Sequence, residues 1–442
     1  MRNKLLVIAL LLILPVFVTA CTLKDLPVIG KFFSGNGANP LAGGKSGTIS
    51  IWGLWEDPQV MEALINKYKE TNPNVTVVYD DRSILKADQY KETVYTRMMQ
   101  DSQSPADIIL VHNSWLDSAA QYLSSAPKDF MDPGAYSTSY YPSAVEAGLR
   151  DGKIYAVPAY YDGLALVYNK KHFEEVDQQT PPTAWEEFRR LALTLTKRDG
   201  EGKLIRAGAA IGAADNIDFF GDILGMMLAQ AGVSVPKDLQ TQSAADALSF
   251  YTTFVNSDGV WDSSLPEASV AFVQEKVSMI FVPSWNLLDI IKMRPDLSIG
   301  AAPVPQARAS NPVSWGSFWM YAVPAKSTNK DLAWDFIKFL SSDEAQLLMF
   351  NTASQFRTYG APFAGVGLKD QISSGAASAY LKPYLDTAGF SKGGVFSGRA
   401  GNVTAVTALK NAVDSVISPD PRTRASTTDA LKAVKVKLSG GQ

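Results

Sequence analysis

The sequence has very few of the residues from which disulfides and metal centres are built. Its 442 residues contain one cysteine, Cys21, and two histidines, His112 and His172. A single cysteine excludes a disulfide within the chain, and the scarcity of both residue types excludes a Cys-rich or His-rich zinc site. We therefore expect no metal, no cofactor and no catalytic residues, although the plentiful carboxylates leave a glycosidase-type acid pair open.

A surplus of charge and a membrane-spanning apolar run are also missing. The net charge is -3, and no basic patch indicates a nucleic-acid partner. The one sustained apolar run, Leu5–Val18, is shorter than the roughly 20 residues that a spanning helix needs. What the chain does have is 46% hydrophobic residues and enough length for two or three globular domains with substantial cores.

The apolar run is part of an N-terminal targeting signal. Basic residues precede it, and small residues lead from its end to Cys21. This pattern predicts a signal peptide over 1–20, and the position of Cys21 matches the bacterial lipobox, in which the cysteine is lipidated. A plain secretory signal with a chance cysteine is the alternative. Residues 21–47 are rich in Gly, Asn, Pro and Ser, which is typical of a flexible tether. We expect an extracytoplasmic protein anchored on the periplasmic or outer side of a bacterial membrane.

The folded part opens with a strand, a helix and a second strand. Thr48 begins a short alternating segment, and Asp57-Pro58 is typical of a helix N-cap followed by proline at the first helical position. The helix is predicted to end before Asn72-Pro73, and Val75–Tyr79 is the next strand. Such a βαβ start indicates a parallel sheet covered by helices.

Two loops follow the carboxyl ends of predicted strands in this region. Trp55 and Glu56 come after the first strand, and Asn113 and Trp115 come after the strand that begins near Asp107. Ligands of open α/β sheets bind at this edge. These four residues are therefore candidates for ligand contact, with packing or plain surface exposure as the alternative for each.

A third candidate region begins at Gly152 with the letters GKIYAVPAYYDGLALVYNK. Pro158 cannot donate to a sheet ladder, so it indicates an edge strand or a segment that crosses between domains. Tyr160, Tyr161 and Asp162 are concentrated at the bend that follows. Two adjacent residues of an extended chain point to opposite sides, so at most one tyrosine is expected to contact a ligand.

Three segments together resemble one protein family. They are the GKIYAVP…YNK stretch, the segment from Ala271 to Trp285 with its short buried strand, and the segment KSTNKDLAWDFIKFL from Lys326. In order and spacing they resemble the bacterial extracellular solute-binding proteins of ABC importers that bind sugars and oligosaccharides. The resemblance spans residues 48–430.

The resemblance implies an α/β, two-lobed, periplasmic-binding-protein-like fold of type II. Each lobe is expected to be a mostly parallel sheet flanked by helices, with a hinge and a central cleft. The implied first lobe comprises 48–158 plus 300–352, and the second comprises 159–299 plus 353–442.

The resemblance also implies how a ligand is held. Trp285 matches the family's cleft tryptophan and is expected to stack on a sugar ring, and Asp162 is expected to accept its hydroxyls. Trp315 and Arg357 join the weaker candidates named above. Trp185 and Trp334 lie on the apolar stripes of predicted helices and are expected in the core.

The implied function is the substrate-binding component of an ABC importer, a monomer that delivers a mono- or oligosaccharide to membrane permease subunits. A peptide, a polyamine or a phosphodiester is the alternative solute. The tandem tyrosines also leave ferric iron open, although iron-binding relatives carry such a pair deeper in the second lobe. Asp162 and Glu56 are the pair that a surface glycoside hydrolase would use.

Overall fold

The computed structural model describes residues 45–100, 104–372 and 375–440. The predicted signal peptide, Cys21 and most of the predicted tether lie outside these residues and stay predictions. Among the described residues, no helix combines the length and the apolar character that crossing a membrane requires.

The elements alternate between strands and helices along most of the chain. The strands are β1 (Gly47–Gly53), β2 (Val75–Asp81), β3 (Ile108–His112), β4 (Leu123–Ser124), β5 (Leu149–Arg150), β6 (Lys153–Ile154), β7 (Ala156–Pro158), β8 (Ala165–Asn169), β9 (Lys197–Arg198), β10 (Leu204–Ala209), β11 (Val277–Val282), β12 (Ile299–Ala302), β13 (Ser314–Trp315), β14 (Trp319–Pro324) and β15 (Ser391–Lys392). The helices are α1 (Pro58–Thr71), α2 (Ala87–Met99), α3 (Leu116–Ala119), α4 (Pro133–Ser139), α5 (Pro142–Gly148), α6 (Lys170–Glu174), α7 (Trp185–Leu195), α8 (Phe220–Gln230), α9 (Gln242–Asn256), α10 (Ala268–Val273), α11 (Ser284–Met293), α12 (Lys330–Leu340), α13 (Asp343–Ala353), α14 (Gly375–Ala388), α15 (Val403–Ile417) and α16 (Thr427–Ser439).

The first large sheet grows from the predicted βαβ opening. β1 pairs in parallel with both β2 and β3, because α1 and α2 carry the chain back between strands. Asp57 caps α1 by accepting from Gln59 N, and the helix buries Val60, Leu64 and Tyr68 as its apolar spacing predicted. The strand order is β2-β1-β3-β14-β4, with β7 also paired to β14.

The second large sheet has the order β12-β8-β11-β10-β9. Its core strands β8 and β11 are almost entirely buried, and they read as continuous apolar runs for that reason. Both sheets are mixed, whereas the resemblance implied mostly parallel ones. β14 runs antiparallel to β3 and β7, and β8 runs antiparallel to both of its neighbours, because the chain enters these positions from the other sheet.

The chain passes between the two sheets three times: after β7, after β12 and after α13. These passages lie side by side and are bonded to each other. Leu164 N donates to Trp315 O at 3.2 Å, and Tyr161 N donates to Pro362 O at 3.0 Å. At Gly163 a Cβ would lie 1.9 Å from Trp315 O, so only glycine permits this approach of two backbones. The three passages form the junction of the two lobes.

The lobe boundaries at 158, 299 and 352 stay predictions. All of β12 pairs with β8 in the second sheet, and the chain rejoins the first sheet only at β14.

Two local features set the surroundings of the tryptophans. The alternating segment from Ser314 forms two strands, because Gly316 N turns away to donate to Lys392 O at 2.7 Å. Trp315 and Trp319 therefore face different partners. The start of α7 is capped by Glu187, whose carboxylate accepts from Thr183 N at 3.0 Å. Trp185 and Trp334 are buried, as predicted.

Candidate ligand-binding site

Asp162 lies at the centre of the lobe junction, and its carboxylate is fully engaged. The residue is 2% exposed. One oxygen accepts from Gly163 N at 2.7 Å and from Ser284 N at 2.9 Å, while the other accepts from Ser284 Oγ at 2.8 Å. Burial raises the pKa of Asp162 to about 6, against the opposing effect of these bonds. As placed, the side chain holds the first turn of α11 and has no oxygen free for a ligand.

Trp285 is presented by that same turn. It is the second residue of α11, and its ring is 42% exposed. The ring of Phe219 meets it edge-on with 5.6 Å between centroids. Tyr359 Oη donates to Ser284 O at 2.7 Å. Ser284, the residue before Trp285, is therefore bonded both to Asp162 on the first passage and to Tyr359 on the third. An exposed indole on a fixed backbone is suited to stacking on a flat apolar face.

Glu56 and Arg357 are brought together although they are distant in sequence. Arg357 Nη2 lies 3.3 Å from Glu56 Oε1, and Arg357 Nε donates to Tyr359 O at 3.1 Å. Burial raises the pKa of Glu56, and the guanidinium opposes this rise. The pair joins the loop after β1 to the passage that follows α13, and thereby links the first lobe to the segment that supports Trp285.

Trp55 lies beside this ion pair. Its backbone adopts a left-handed conformation with φ of 53°, which is uncommon for a bulky residue. The ring is 47% exposed, and its edge packs against Trp319 with 5.3 Å between centroids. The loop after β1 therefore turns one indole outward next to a charged pair.

Four other candidates are packed inside the protein. Trp115 donates from Nε1 to Ala400 O at 2.7 Å, and Trp315 donates from Nε1 to Asp222 Oδ1 at 2.9 Å. Asn113 Nδ2 donates to Gly316 O at 3.1 Å.

The fourth buried candidate is Tyr161, whose ring lies 4.8 Å from that of Tyr141. All four side chains are buried, and none of them faces solvent. Tyr160, by contrast, is only partly buried and lines a small cavity with Glu56.

Several exposed or bridging groups near the junction were not predicted. Phe356 is 53% exposed directly before Arg357, and Ile84 is exposed in the loop after β2. The segment from Ser391 to Asn402 touches both lobes. The glycines of this segment are the sequence signal that could have indicated it. The backbone at Gly393 and Gly401 lies so close to Asn113 and Ala87 of the first lobe that there is no room for a Cβ atom.

One contact of that segment engages a partly buried lysine. Lys91 Nζ on α2 donates to Asn402 Oδ1 at 2.7 Å and lies 5.2 Å from the centre of the Trp115 ring. Burial lowers the pKa of Lys91 to about 8. Asn402 also donates to Ser114 Oγ at 2.8 Å, so the residue that precedes α15 is bonded to two elements of the first lobe.

Groups that could support catalysis or bind a metal are buried or scattered. Burial lowers the pKa of His112 to about 3 and that of His172 to about 4, so both rings are neutral and enclosed. A Gly-x-Ser-x-Gly pattern does occur from Gly389, but its Ser391 is buried in β15 with Oγ 2.7 Å from Ser143 Oγ. The described residues contain no group of three or more His, Cys, Asp or Glu side chains placed to hold a metal ion.

The ion pair between Glu56 and Arg357 predicts a measurable coupling. Arg357→Met is expected to lower the free energy of unfolding by about 1 to 3 kcal/mol at neutral pH, because a mostly buried carboxylate loses its counter-ion. Glu56→Gln should cost less, and the double variant should recover part of the loss in a urea unfolding cycle. Strict additivity of the two single variants would contradict the pairing.

The chain forms two lobes that are joined by adjacent passages, and exposed rings lie at their junction. This architecture is that of two-lobed ligand-binding proteins. Comparison with known proteins places the chain within that class. Residues 52–347 match the family described as bacterial extracellular solute-binding protein. Because this match covers well over half of the chain, the protein belongs to this family.

Individual relatives are distant. The chain is 22% identical over 311 residues to the maltotriose-binding protein of Pyrococcus abyssi, which covers 67% of this chain and 63% of that protein. Among solved structures, the cyclic alpha-maltosyl-1,6-maltose binding protein of Arthrobacter globiformis superposes with a TM-score of 0.69 at 17% identity, over 90% of this chain and 99% of that one.

UgpB from Mycobacterium tuberculosis, in complex with glycerophosphocholine, superposes with a TM-score of 0.68 at 17% identity, over 90% of this chain and 100% of that one. Likenesses at this level of identity establish the fold and leave the ligand open. The predicted two-lobed α/β fold is confirmed.

Proposed function

We propose that this protein is the extracytoplasmic substrate-binding component of an ABC importer and that it binds a carbohydrate between its lobes. The observation that carries the proposal is the presence of two half-exposed indoles, Trp55 next to Glu56 of the Glu56–Arg357 ion pair and Trp285 on the turn that Asp162 and Tyr359 hold at the lobe junction. Indole faces cover the C–H face of a sugar ring, and charged groups bond its hydroxyls. Phe356, the residue before Arg357, is also exposed.

Binding is proposed to work by lobe closure. Ligand engages the rings of one lobe, and the other lobe closes when the closed form offers contacts that the open form lacks. The contacts between the lobes that the structure contains, such as Lys91 with Asn402 and Trp115 with Ala400, are candidates for the bonds that close and open.

The proposal also covers the attachment of the protein to the cell membrane and a role in binding without catalysis. A signal peptide over 1–20 is removed, Cys21 is lipidated, and the monomeric protein delivers its ligand to permease subunits. Support for a purely binding role comes from the family and from the enclosed, neutral histidines. Asp162 and Glu56 are not proposed as a hydrolytic pair, because the oxygens of Asp162 are occupied within the lobe junction.

A ligand panel tests the proposal on the full-length chain in detergent. Maltotriose, diacetylchitobiose and tagatose represent sugars, while glycerophosphocholine, spermidine, a tripeptide and ferric citrate represent the alternatives. At 100 times Kd a ligand adds about 2.7 kcal/mol to the stability of the folded state, so at least one sugar should raise Tm by a few degrees. A shift with a non-sugar alone would reject the carbohydrate, and product release from any sugar would reject the binding-only role.

A further inference from the structure

A small cavity lies beneath the loop that carries Trp55 and Glu56. It has a volume of about 20 Å³, and its walls come from the ends of β1, β2 and β14, from the first passage and from α13. Most of the lining is apolar. The polar groups are the carboxylate of Glu56 and the phenols of Tyr79, Tyr160 and Tyr321.

The three phenol groups have no hydrogen-bond partner among the described residues. Tyr79 Oη is buried and unpaired, and it is the group that needs an explanation. The hydroxyls of Tyr160 and Tyr321 also form no hydrogen bond to a described residue, but they are not fully enclosed. Burial raises the pKa of each of these tyrosines, so all three keep their protons and can donate. Buried polar groups without partners are rare in native proteins, and each one requires an explanation such as a bound water or ligand atom.

The position of Tyr79 depends on a glycine in the neighbouring strand. Tyr79 is paired with Ile51 in the parallel β1–β2 register, and its ring crosses over Gly53. A Cβ on Gly53 would lie 2.1 Å from the Tyr79 ring. The absence of a side chain at Gly53 therefore allows the ring of Tyr79 to line the cavity together with Glu56, whose carboxylate is paired with Arg357.

We propose that this cavity is a subsite for a single hydroxyl group. The volume is sufficient for about one water-sized group. A hydroxyl donates once and accepts twice, which matches one carboxylate acceptor and surrounding phenol donors. The hydroxyl can come from a water molecule or from a sugar that binds at the lobe junction, and the second source rests on the proposed function.

The test compares the unchanged chain with Tyr79→Phe. A crystal structure of the unliganded chain is expected to show a water within hydrogen-bond distance of Tyr79 Oη. The Tm of Tyr79→Phe should not exceed that of the unchanged chain, because the hydroxyl that it removes is bonded to this water. If a sugar hydroxyl enters the subsite, calorimetry with maltotriose, diacetylchitobiose or tagatose should show an affinity about 5- to 20-fold lower for Tyr79→Phe. An unchanged affinity with the water present assigns the subsite to water alone.

Tyr136→Phe is the matched control. Its hydroxyl is equally buried but donates to Ala156 O at 2.8 Å, away from the cavity, so its loss should lower Tm and leave sugar affinity unchanged. A cavity without ordered water, together with a higher Tm for Tyr79→Phe and unchanged affinity, would overturn the proposal. If no sugar binds at all, the proposed function fails, but the water and Tm results still decide whether the subsite exists.

Discussion

Trp285→Ala is expected to weaken binding of the panel sugar with the largest thermal shift by about 1 to 3 kcal/mol, which is roughly 5- to 150-fold in Kd. The indole is 42% exposed at the start of α11, and its backbone is fixed by bonds to Ser284 from Asp162 and Tyr359. The loss should therefore come from the missing ring face and not from a moved loop. Isothermal calorimetry measures Kd, and urea unfolding should show a change in stability of less than about 1 kcal/mol because the ring is only half-buried.

The same helix offers a control for this prediction. Met293 is the last residue of α11 and is 54% exposed, so Met293→Ala removes a comparable exposed side chain at the far end. Its sugar affinity should equal that of the unchanged chain, while Trp285→Phe should keep part of the stacking energy. Normal binding by Trp285→Ala would place the ligand elsewhere, even though the two-lobed fold stands.

The elements near the start of the chain could be predicted because their signals are local. The Asp57-Pro58 cap, the apolar spacing of Val60, Leu64 and Tyr68, and the stop before Asn72-Pro73 all lie within one helix length. Such signals depend only on residues that are close in sequence, and the structure has α1 where these signals predict it.

The environment of individual rings could not be predicted in this way. Trp115 and Trp55 both follow a strand of the first sheet, yet one is buried and the other is half-exposed. Trp115 packs against Trp319 with 5.1 Å between ring centroids, and its indole also donates to the carbonyl oxygen of Ala400 across 285 positions of sequence. No local pattern encodes that contact. The same reason applies to Trp315, which is enclosed by Asp222 of α8.

The candidate site therefore divides into supporting and presented groups. Trp115, Trp315, Tyr161 and Asn113 are buried around the lobe junction, whereas Trp55 on the loop after β1 and Trp285 on α11 are half-exposed. The contacts that bury the first four side chains come from segments distant in sequence, so the sequence alone does not show which ring is buried. An aromatic residue at a strand end therefore predicts the region of a site more reliably than it predicts a ligand contact. Asp162 illustrates the difference and can be tested by substitution.

Asp162→Ala is expected to weaken both the fold and sugar binding. The change leaves Gly163 N, Ser284 N and Ser284 Oγ without their acceptor, and each unpaired buried group costs about 1 to 3 kcal/mol. We expect unfolding free energy to fall by about 2 to 5 kcal/mol and sugar affinity to fall by about tenfold, because the turn that presents Trp285 loosens. Asp162→Asn keeps an acceptor oxygen at the same place, so its affinity should stay within about threefold of the unchanged chain.

The pH dependence of stability reports the burial of the Asp162 carboxyl, and the sugar affinity of Asp162→Asn separates the positioning role from direct contact with a ligand. Burial raises the pKa of Asp162 from 3.8 to about 6, so the folded protein holds a proton there that the unfolded chain has released. This contribution to stability is complete below the unfolded pKa and is lost as pH rises through about 6, by about 3 kcal/mol in total. Asp162→Asn should therefore gain stability relative to the unchanged chain between pH 4 and about 6.5 in urea titrations. If Asp162→Asn instead loses sugar binding as severely as Asp162→Ala, the carboxylate itself contacts the ligand and the positioning role is wrong.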